Sequence, residues 1–298
     1  MSKIRASQLF LTLTAACALA LTACGGGGGS DSNVVLNPKS RTDEGIWTTS
    51  TVEMQAVILG DGSYWGIYGS GYNPDNGTLS NIGLILHGAS TIDGNNVSGV
   101  YSTFTNGHSF SPDYSFGQGI YTGIALGKSN INLTFNDDPT WSDTKFELNY
   151  DIVYDQPIQL ATLTGKYLAG GAISSFCPPA ANDCSFSTPQ NPNLIISGAN
   201  LTLYDGNGVV AMTGTISPHG TTTSIFDVSL ATTYMGHIQN LPLDQTIGIS
   251  SPSIDDVIVG TVFNGILFQT SIGQKINYIE IVAASEKDAF YFMGSKQD

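Results

Sequence analysis

Apolar residues along this chain recur with a period of two, or in uninterrupted runs of four to eight, and the runs end at Gly, Asn, Asp or Pro. A period of two sends alternate side chains to opposite faces of a strand, whereas the 3.6-residue period of an amphipathic helix is hard to find. The pattern predicts about sixteen strands. In the first half they cover 54–59, 63–68, 81–87, 97–104, 118–126, 131–135 and 144–150. In the second half they cover 162–168, 194–196, 200–204, 209–216, 224–231, 257–263, 266–270, 275–283 and 289–293.

Three joints read as tight hairpins: Gly60-Asp61-Gly62, Asp205-Gly206-Asn207-Gly208 and Asn264-Gly265. Asp-Gly and Asn-Gly tolerate the positive φ of type I′ turns, and successive hairpins make antiparallel meanders. A loose internal repeat accompanies them. Gly45-Ile46-Trp47 opens the first half and Phe146-Glu147-Leu148-Asn149-Tyr150 closes it. Gly165-Lys166-Tyr167 opens the second half and Phe290-Tyr291-Phe292-Met293 closes it. Each half has room for about eight strands. The predicted class is therefore all-β, with antiparallel sheets or up-and-down barrels in two tandem domains, 44–157 and 158–298. One continuous β-domain is the alternative. The boundary falls at Tyr150-Asp151-Ile152-Val153-Tyr154-Asp155-Gln156-Pro157, where Pro157 cannot donate to a ladder. Its tyrosines are expected to pack and its aspartates to cap a turn.

Charge narrows the choice of partner. Of 298 residues only 11% are charged, with 10 Lys and Arg against 24 Asp and Glu, a net −14. A nucleic-acid binder needs a basic face, and so does electrostatic docking on anionic lipid. With 35 Gly and 12 Pro the chain is also rich in turn residues.

The N-terminus reads as an address. Lys3 and Arg5 precede an uncharged, mostly apolar run at 9–21, too short to span a bilayer and of the length of a signal-peptide core. It ends at Leu21-Thr22-Ala23-Cys24, which resembles the lipobox of bacterial lipoproteins. That resemblance implies removal of 1–23, with Cys17 inside it, and lipidation of Cys24 on its sulfur and its new amino group. Two or more acyl chains hold stably. Gly25, where an Asp would signal retention in the inner membrane, implies an outer-membrane destination, on either its periplasmic or its surface side. Gly25 to Gly29 and the polar residues after them make 24–43 a flexible tether, spanning about 22–27 Å when relaxed. Loss of Lys3 and Arg5 takes the net charge from −14 to −16.

The lipobox, the Gly tether, Gly45-Ile46-Trp47, Asp61-Gly62-Ser63-Tyr64-Trp65-Gly66 and the Tyr-Asp hinge together resemble β-rich proteobacterial surface lipoproteins. The layout is loosely similar to the barrel lobes of transferrin-binding-protein-type lipoproteins. Gly45-Ile46-Trp47 is also similar to the lipocalin Gly-x-Trp, although the lipocalin pattern does not continue.

Candidate chemistry is sparse. Cys177 and Cys184, the two cysteines beyond the lipidated one, are expected to form a disulfide in an oxidising compartment, contributing about 2.5 kcal/mol or less. His87, His108, His219 and His237 are scattered without metal-ligand spacing, and no metal or cofactor is predicted. No Ser lies in a nucleophile elbow. Asp137, Asp138 and Asp143 could hold calcium or line a solvated loop, and Asp255-Asp256 reads the same way. Tyr64, Trp65, Tyr68 and Tyr72, with Tyr101, are the candidate binding residues, either as an exposed platform or as the packed rings of a small barrel. The expectation is a non-enzymatic lipoprotein that binds a protein or glycan partner. A lipocalin-like carrier of a small apolar ligand is the alternative. A cell-envelope hydrolase, whose distant carboxylates no linear spacing reveals, is the second.

Overall fold

Alternation along the strands sorts the apolar side chains of this protein into three separate cores. The computed structural model describes residues 41–50, 54–69, 72–73, 78–79, 84–105, 118–136, 144–169, 174–176, 193–204, 208–220, 224–233, 259–272, 275–286 and 289–297. The first half contributes β1 (Gly45–Thr48), β2 (Met54–Ile58), β3 (Ser63–Tyr68), β4 (Tyr72–Asn73), β5 (Thr78–Leu79), β6 (Leu84–Asp93), β7 (Asn96–Thr105), β8 (Gln118–Ala125), β9 (Asn130–Asn136) and β10 (Thr144–Tyr150). The second contributes β11 (Gly165–Ala169), β12 (Ser174–Phe176), β13 (Asn193–Ser197), β14 (Asn200–Tyr204), β15 (Val210–Pro218), β16 (Ile225–Thr232), β17 (Val262–Ile272), β18 (Lys275–Ala284) and β19 (Ala289–Lys296).

Every strand pairing is antiparallel. The order β1-β10-β9-β8-β7-β6-β3-β2 closes on itself as an eight-stranded barrel, with β4 and β5 forming a separate ribbon. In the second half, β11 and then β13 to β19 follow one another, and β11 pairs with β19 to close a second eight-stranded barrel. Strand β12 pairs with the first residues of β19, beyond the stretch that β11 occupies. Closure leaves no free sheet edge in either barrel wall.

Inward residues of the first barrel build one core, including Trp47, Ala56, Ile58, Tyr64, Leu86 and Tyr121. Inward residues of the second build another, including Tyr167, Leu203, Phe226, Leu267, Ile281 and Phe292. The outward residues of β2 and β3 (Val57, Trp65, Ile67) meet those of β17, β18 and β19 (Ile266, Phe268, Val282, Tyr291, Met293) in a third core. This third core is the seam between the barrels. Strands buried on both faces need no alternation, so β19 opens AFYFM and β2 reads MQAVI, with Gln55 its one polar residue.

Between the barrels the chain makes a 3-10 turn, Ile152–Asp155, and one helical turn, Leu160–Leu163. The Asp151 side chain accepts from the Val153 amide, and its own amide donates to the Ile46 carbonyl at 2.8 Å. Tyr150 packs edge-on against Trp47 and Tyr154, and Asp155 pairs with Lys128. Here the tyrosines pack while Asp151 caps the turn.

The hairpin at Gly60-Asp61-Gly62 joins β2 to β3 as predicted, with Ile58 opposite Tyr64. Strands β14 and β15 pair across Asp205-Gly206-Asn207, three residues that lie outside the described ones. Asn264-Gly265 makes no turn. Both residues lie inside β17, opposite Ala284 and Ala283 of β18. A Cβ on Gly265 would stand 2.0 Å from the Val282 carbonyl oxygen, so this glycine serves a close strand approach. Residues 160–163 of the helical turn replace the start of the strand predicted at 162–168. At the N-terminal side, Arg41 to Asp43 belongs to the barrel end and not to the tether. Asp43 is fully buried and holds Arg41 through two hydrogen bonds, at 2.9 and 2.7 Å.

Candidate functional site

The candidate aromatic residues take different places. Alternation puts Tyr64 and Tyr68 on the inner face of β3 and Trp65 on the outer one. Tyr64 is wholly buried inside the first barrel. Trp65 lies in the seam, stacked on His87 with centroids 3.9 Å apart and an angle of 20° between the rings. Tyr68 is half-buried and meets Phe146 edge-on at 5.8 Å. Tyr72 falls in β4, and its side chain is outside the described residues. Tyr64 and Trp65 therefore share no exposed platform, because the barrel lumen takes one and the second barrel covers the other.

The lumen of the first barrel is filled by its own rings. Cross-strand neighbours run Tyr64, Gly88, Tyr101, Gly119 in one row and Ser90, Gly99, Tyr121, Phe135 in another. Large and small residues alternate along the first row, and in the second the small Ser90 and Gly99 leave room for the rings of Tyr121 and Phe135. A Cβ on Gly99 would meet the Tyr121 ring at 2.5 Å, and one on Gly119 the Tyr101 ring at 2.2 Å. Tyr64 and Tyr121 lie 4.8 Å apart between centroids, and Tyr101 meets Phe135 edge-on at 5.4 Å. Burial pushes the Tyr64 phenol well above its ordinary pKa, so it stays protonated. The hydroxyls of Tyr64 and Thr103 are buried without a hydrogen-bond partner among the described residues. In the second barrel Tyr167, Phe226, Phe263 and Phe290 occupy the interior in the same way.

One end of the first barrel carries a buried polar plug. Ser90 donates to the Asp43 carboxylate at 2.9 Å, and the Arg41 guanidinium reaches both groups. The Trp47 indole donates to the Asp43 carbonyl at 2.9 Å. This plug satisfies its own donors and acceptors.

The outward face of β7 and β8 is open. Val100 and Ile120 are cross-strand partners, 57% and 41% exposed, and Ile124 farther along β8 is 49% exposed. Ser98 and Thr122 face each other between them. Strands β7, β8 and β9 contain no charged residue, in a chain of net charge −14. An uncharged, β-branched surface of this kind desolvates at low cost.

The seam holds a polar group that the sequence reading passed over. Glu280 on β18 is 2% exposed and accepts from the Tyr291 hydroxyl at 2.8 Å. Burial pushes its carboxyl up to about 7, against the pull of hydrogen bonding from Tyr291, Gln55 and Thr270, and the Asp151 charge adds to the rise. The Gln55 amide nitrogen favours the charged form but stays outside close hydrogen-bond geometry. The visible signal was a lone acid in an apolar run, Ile279-Glu280-Ile281-Val282.

His219 pairs with Asp227 at 2.7 Å, far in sequence from His87. Among the described residues no three His, Cys, Asp or Glu side chains gather as a metal site. Cys24, Cys177, Cys184, Asp137, Asp138, Asp143, Asp255, Asp256, His108 and His237 lie outside the described residues. No family model, curated protein or solved structure matches the chain.

Proposed function

We propose that this protein is a non-enzymatic, lipid-anchored outer-membrane lipoprotein whose two-barrel body binds a protein or glycan partner from the end of a flexible tether. One observation carries the binding part of the reading. The lumens are packed with the protein's own rings, while the charge-free outer face of β7 and β8 leaves Val100, Ile120 and Ile124 in solvent. A surface able to desolvate at low cost and lying on a rigid closed wall suits a partner that docks from outside. The anchor rests on Leu21-Thr22-Ala23-Cys24 and the glycines after it.

Two experiments test the parts separately. Cys24→Ser should move the protein from the outer-membrane fraction to the soluble one, and continued membrane fractionation would overturn the anchor. Protease treatment of intact cells should cut the body. Full protection in intact cells, with cleavage after lysis, would remove the environment-facing role and leave a periplasmic partner.

A second reading, a carrier that holds a small, mainly apolar ligand in the first barrel, draws on the hydroxyls of Tyr64 and Thr103, which have no partner among the described residues. It predicts a ligand adduct in native mass spectrometry of the purified protein.

A further inference from the structure

We propose that Glu280 is a proton-sensitive latch between the two barrels, holding the seam closed while its carboxyl is neutral and loosening it on ionisation. The side chain leaves β18 on the outer face of the second barrel and is sealed by apolar neighbours. Phe268 is its cross-strand partner on β17 and Met293 on β19, and both belong to the seam core. Four groups face it from the surrounding elements: Gln55 of β2 in the first barrel, Thr270 of β17, Tyr291 of β19 and Asp151 at the hinge. The charged one, Asp151, has the same sign as an ionised Glu280. The other titratable groups lining the seam are Tyr154, whose hydroxyl donates to the Glu44 carboxylate, Tyr150 at its margin, and His87, stacked on Trp65.

The direction follows from the two states. In the closed seam the carboxyl holds its proton up to about pH 7, whereas in an opened, hydrated seam it ionises near the ordinary 4.5. The closed state is favoured fully below the lower value, progressively less as pH rises between the two, and least above the upper one. Ionisation leaves a charge between Phe268 and Met293 that hydrogen bonding from Tyr291, Gln55 and Thr270 does not offset against burial, so water entry or separation of the faces becomes the easier course. The chain passes from the first barrel to the second through Asp151 to Thr164, so loosening the seam does not require either barrel to open.

Hydroxyl-radical footprinting of the full chain, with the radical dose normalised at each pH, tests the latch. Oxidation of the seam side chains Phe268 and Met293 should be at least about tenfold faster at pH 8 than at pH 5, since each pH unit between the two pKa values is worth up to tenfold. Glu280→Gln should remain protected at both pH values, and because it leaves His87 in place, the difference from wild type isolates Glu280. Tyr291→Phe removes a donor to the charged form and should raise the midpoint. Asp151→Asn keeps an acceptor for the Val153 amide, removes the like charge and should lower the midpoint. A pH profile unchanged by Glu280→Gln would overturn the latch. So would midpoints that fail to move in opposite directions in Tyr291→Phe and Asp151→Asn. A midpoint that depends on whether sodium, potassium or calcium is present would assign the carboxylate to a cation and overturn the latch as well.

Discussion

Trp47 and Tyr167 make the same connection at the starts of their barrels. The Trp47 indole donates to the carbonyl of Asp43 at 2.9 Å, and the Tyr167 hydroxyl donates to the carbonyl of Leu163 at 2.8 Å, each four residues back. Each ring stands two residues after a glycine, Gly45 at φ +155° and Gly165 at φ +154°. The glycine turns the entering chain into the first strand, and the ring ties that strand to the segment before it. The weak Gly-x-aromatic repeat in the sequence is thus a repeated way of closing a barrel end.

The two glycines should nonetheless differ in their tolerance of a side chain. A Cβ at Gly45 would lie 2.4 Å from a ring carbon of Tyr150, which is held between Trp47 and Tyr154. A Cβ at Gly165 would meet the Lys296 side chain at 2.7 Å, and that chain can swing into solvent. Both positions have a φ that disfavours L side chains. Gly165→Ala is expected to cost about 1–2 kcal/mol and Gly45→Ala at least about 1 kcal/mol more, read from urea unfolding midpoints.

At the first barrel's plug, removal of one charge should be worse than removal of both. Asp43→Ala strands the Arg41 guanidinium, whose side chain is mostly buried, together with the Ser90 hydroxyl. A loss of about 2–3 kcal/mol is expected, below the full cost of a sealed ion because Arg41 retains some contact with water. The double substitution Arg41→Ala and Asp43→Ala should recover part of that loss in a double-mutant cycle.

Alternation made much of the architecture legible, and its limits have physical causes. The segment from Met54 to Tyr68 could be read correctly because short apolar runs and an Asp-Gly turn between them agree there. Asn264-Gly265 carries the same turn dipeptide inside a strand, and only the close approach of β18 distinguishes the cases. Strand β6 outruns its apolar stretch because Ser90 and Thr91 continue the ladder through backbone groups that any residue supplies. Trp65 shows the third limit. Period two places it outside the barrel, but whether solvent or a second barrel meets that face depends on residues more than 200 positions away, such as Tyr291. Glu280 was hidden for the same reason, since its significance arises only where the two outer faces join.

His87 supplies an optical report on the seam. Its imidazole is stacked on Trp65, and burial holds its pKa below the ordinary 6.5. A histidine with a lowered folded pKa contributes stability that is present above pH 6.5 and lost as pH falls toward the folded value, opposite in sign to Glu280. Trp65 emission should therefore change in an acid step centred below pH 6.5. The step should be absent in His87→Phe, which keeps a ring against the indole. A step that persists in that variant would place the titrating group elsewhere.

Tyr64→Phe separates a self-filled barrel from one that holds something. The Tyr64 hydroxyl is fully buried, and no protein group among the described residues accepts or donates to it. An unpaired buried hydroxyl costs about 1–3 kcal/mol relative to its hydrated state in the unfolded chain, and removing one oxygen leaves ring packing against Tyr121 in place. If the lumen contains only the protein's own side chains, Tyr64→Phe should stabilise the fold by about 1 kcal/mol, measured by urea or thermal unfolding. If a water or a small ligand satisfies that oxygen, the same substitution should destabilise the fold, and Thr103→Val should do so too. The scaffold reading predicts stabilisation. Destabilisation by both substitutions, together with loss of an adduct in native mass spectrometry, would instead identify the first barrel as a carrier, with Tyr64 and Thr103 as the groups that orient its cargo.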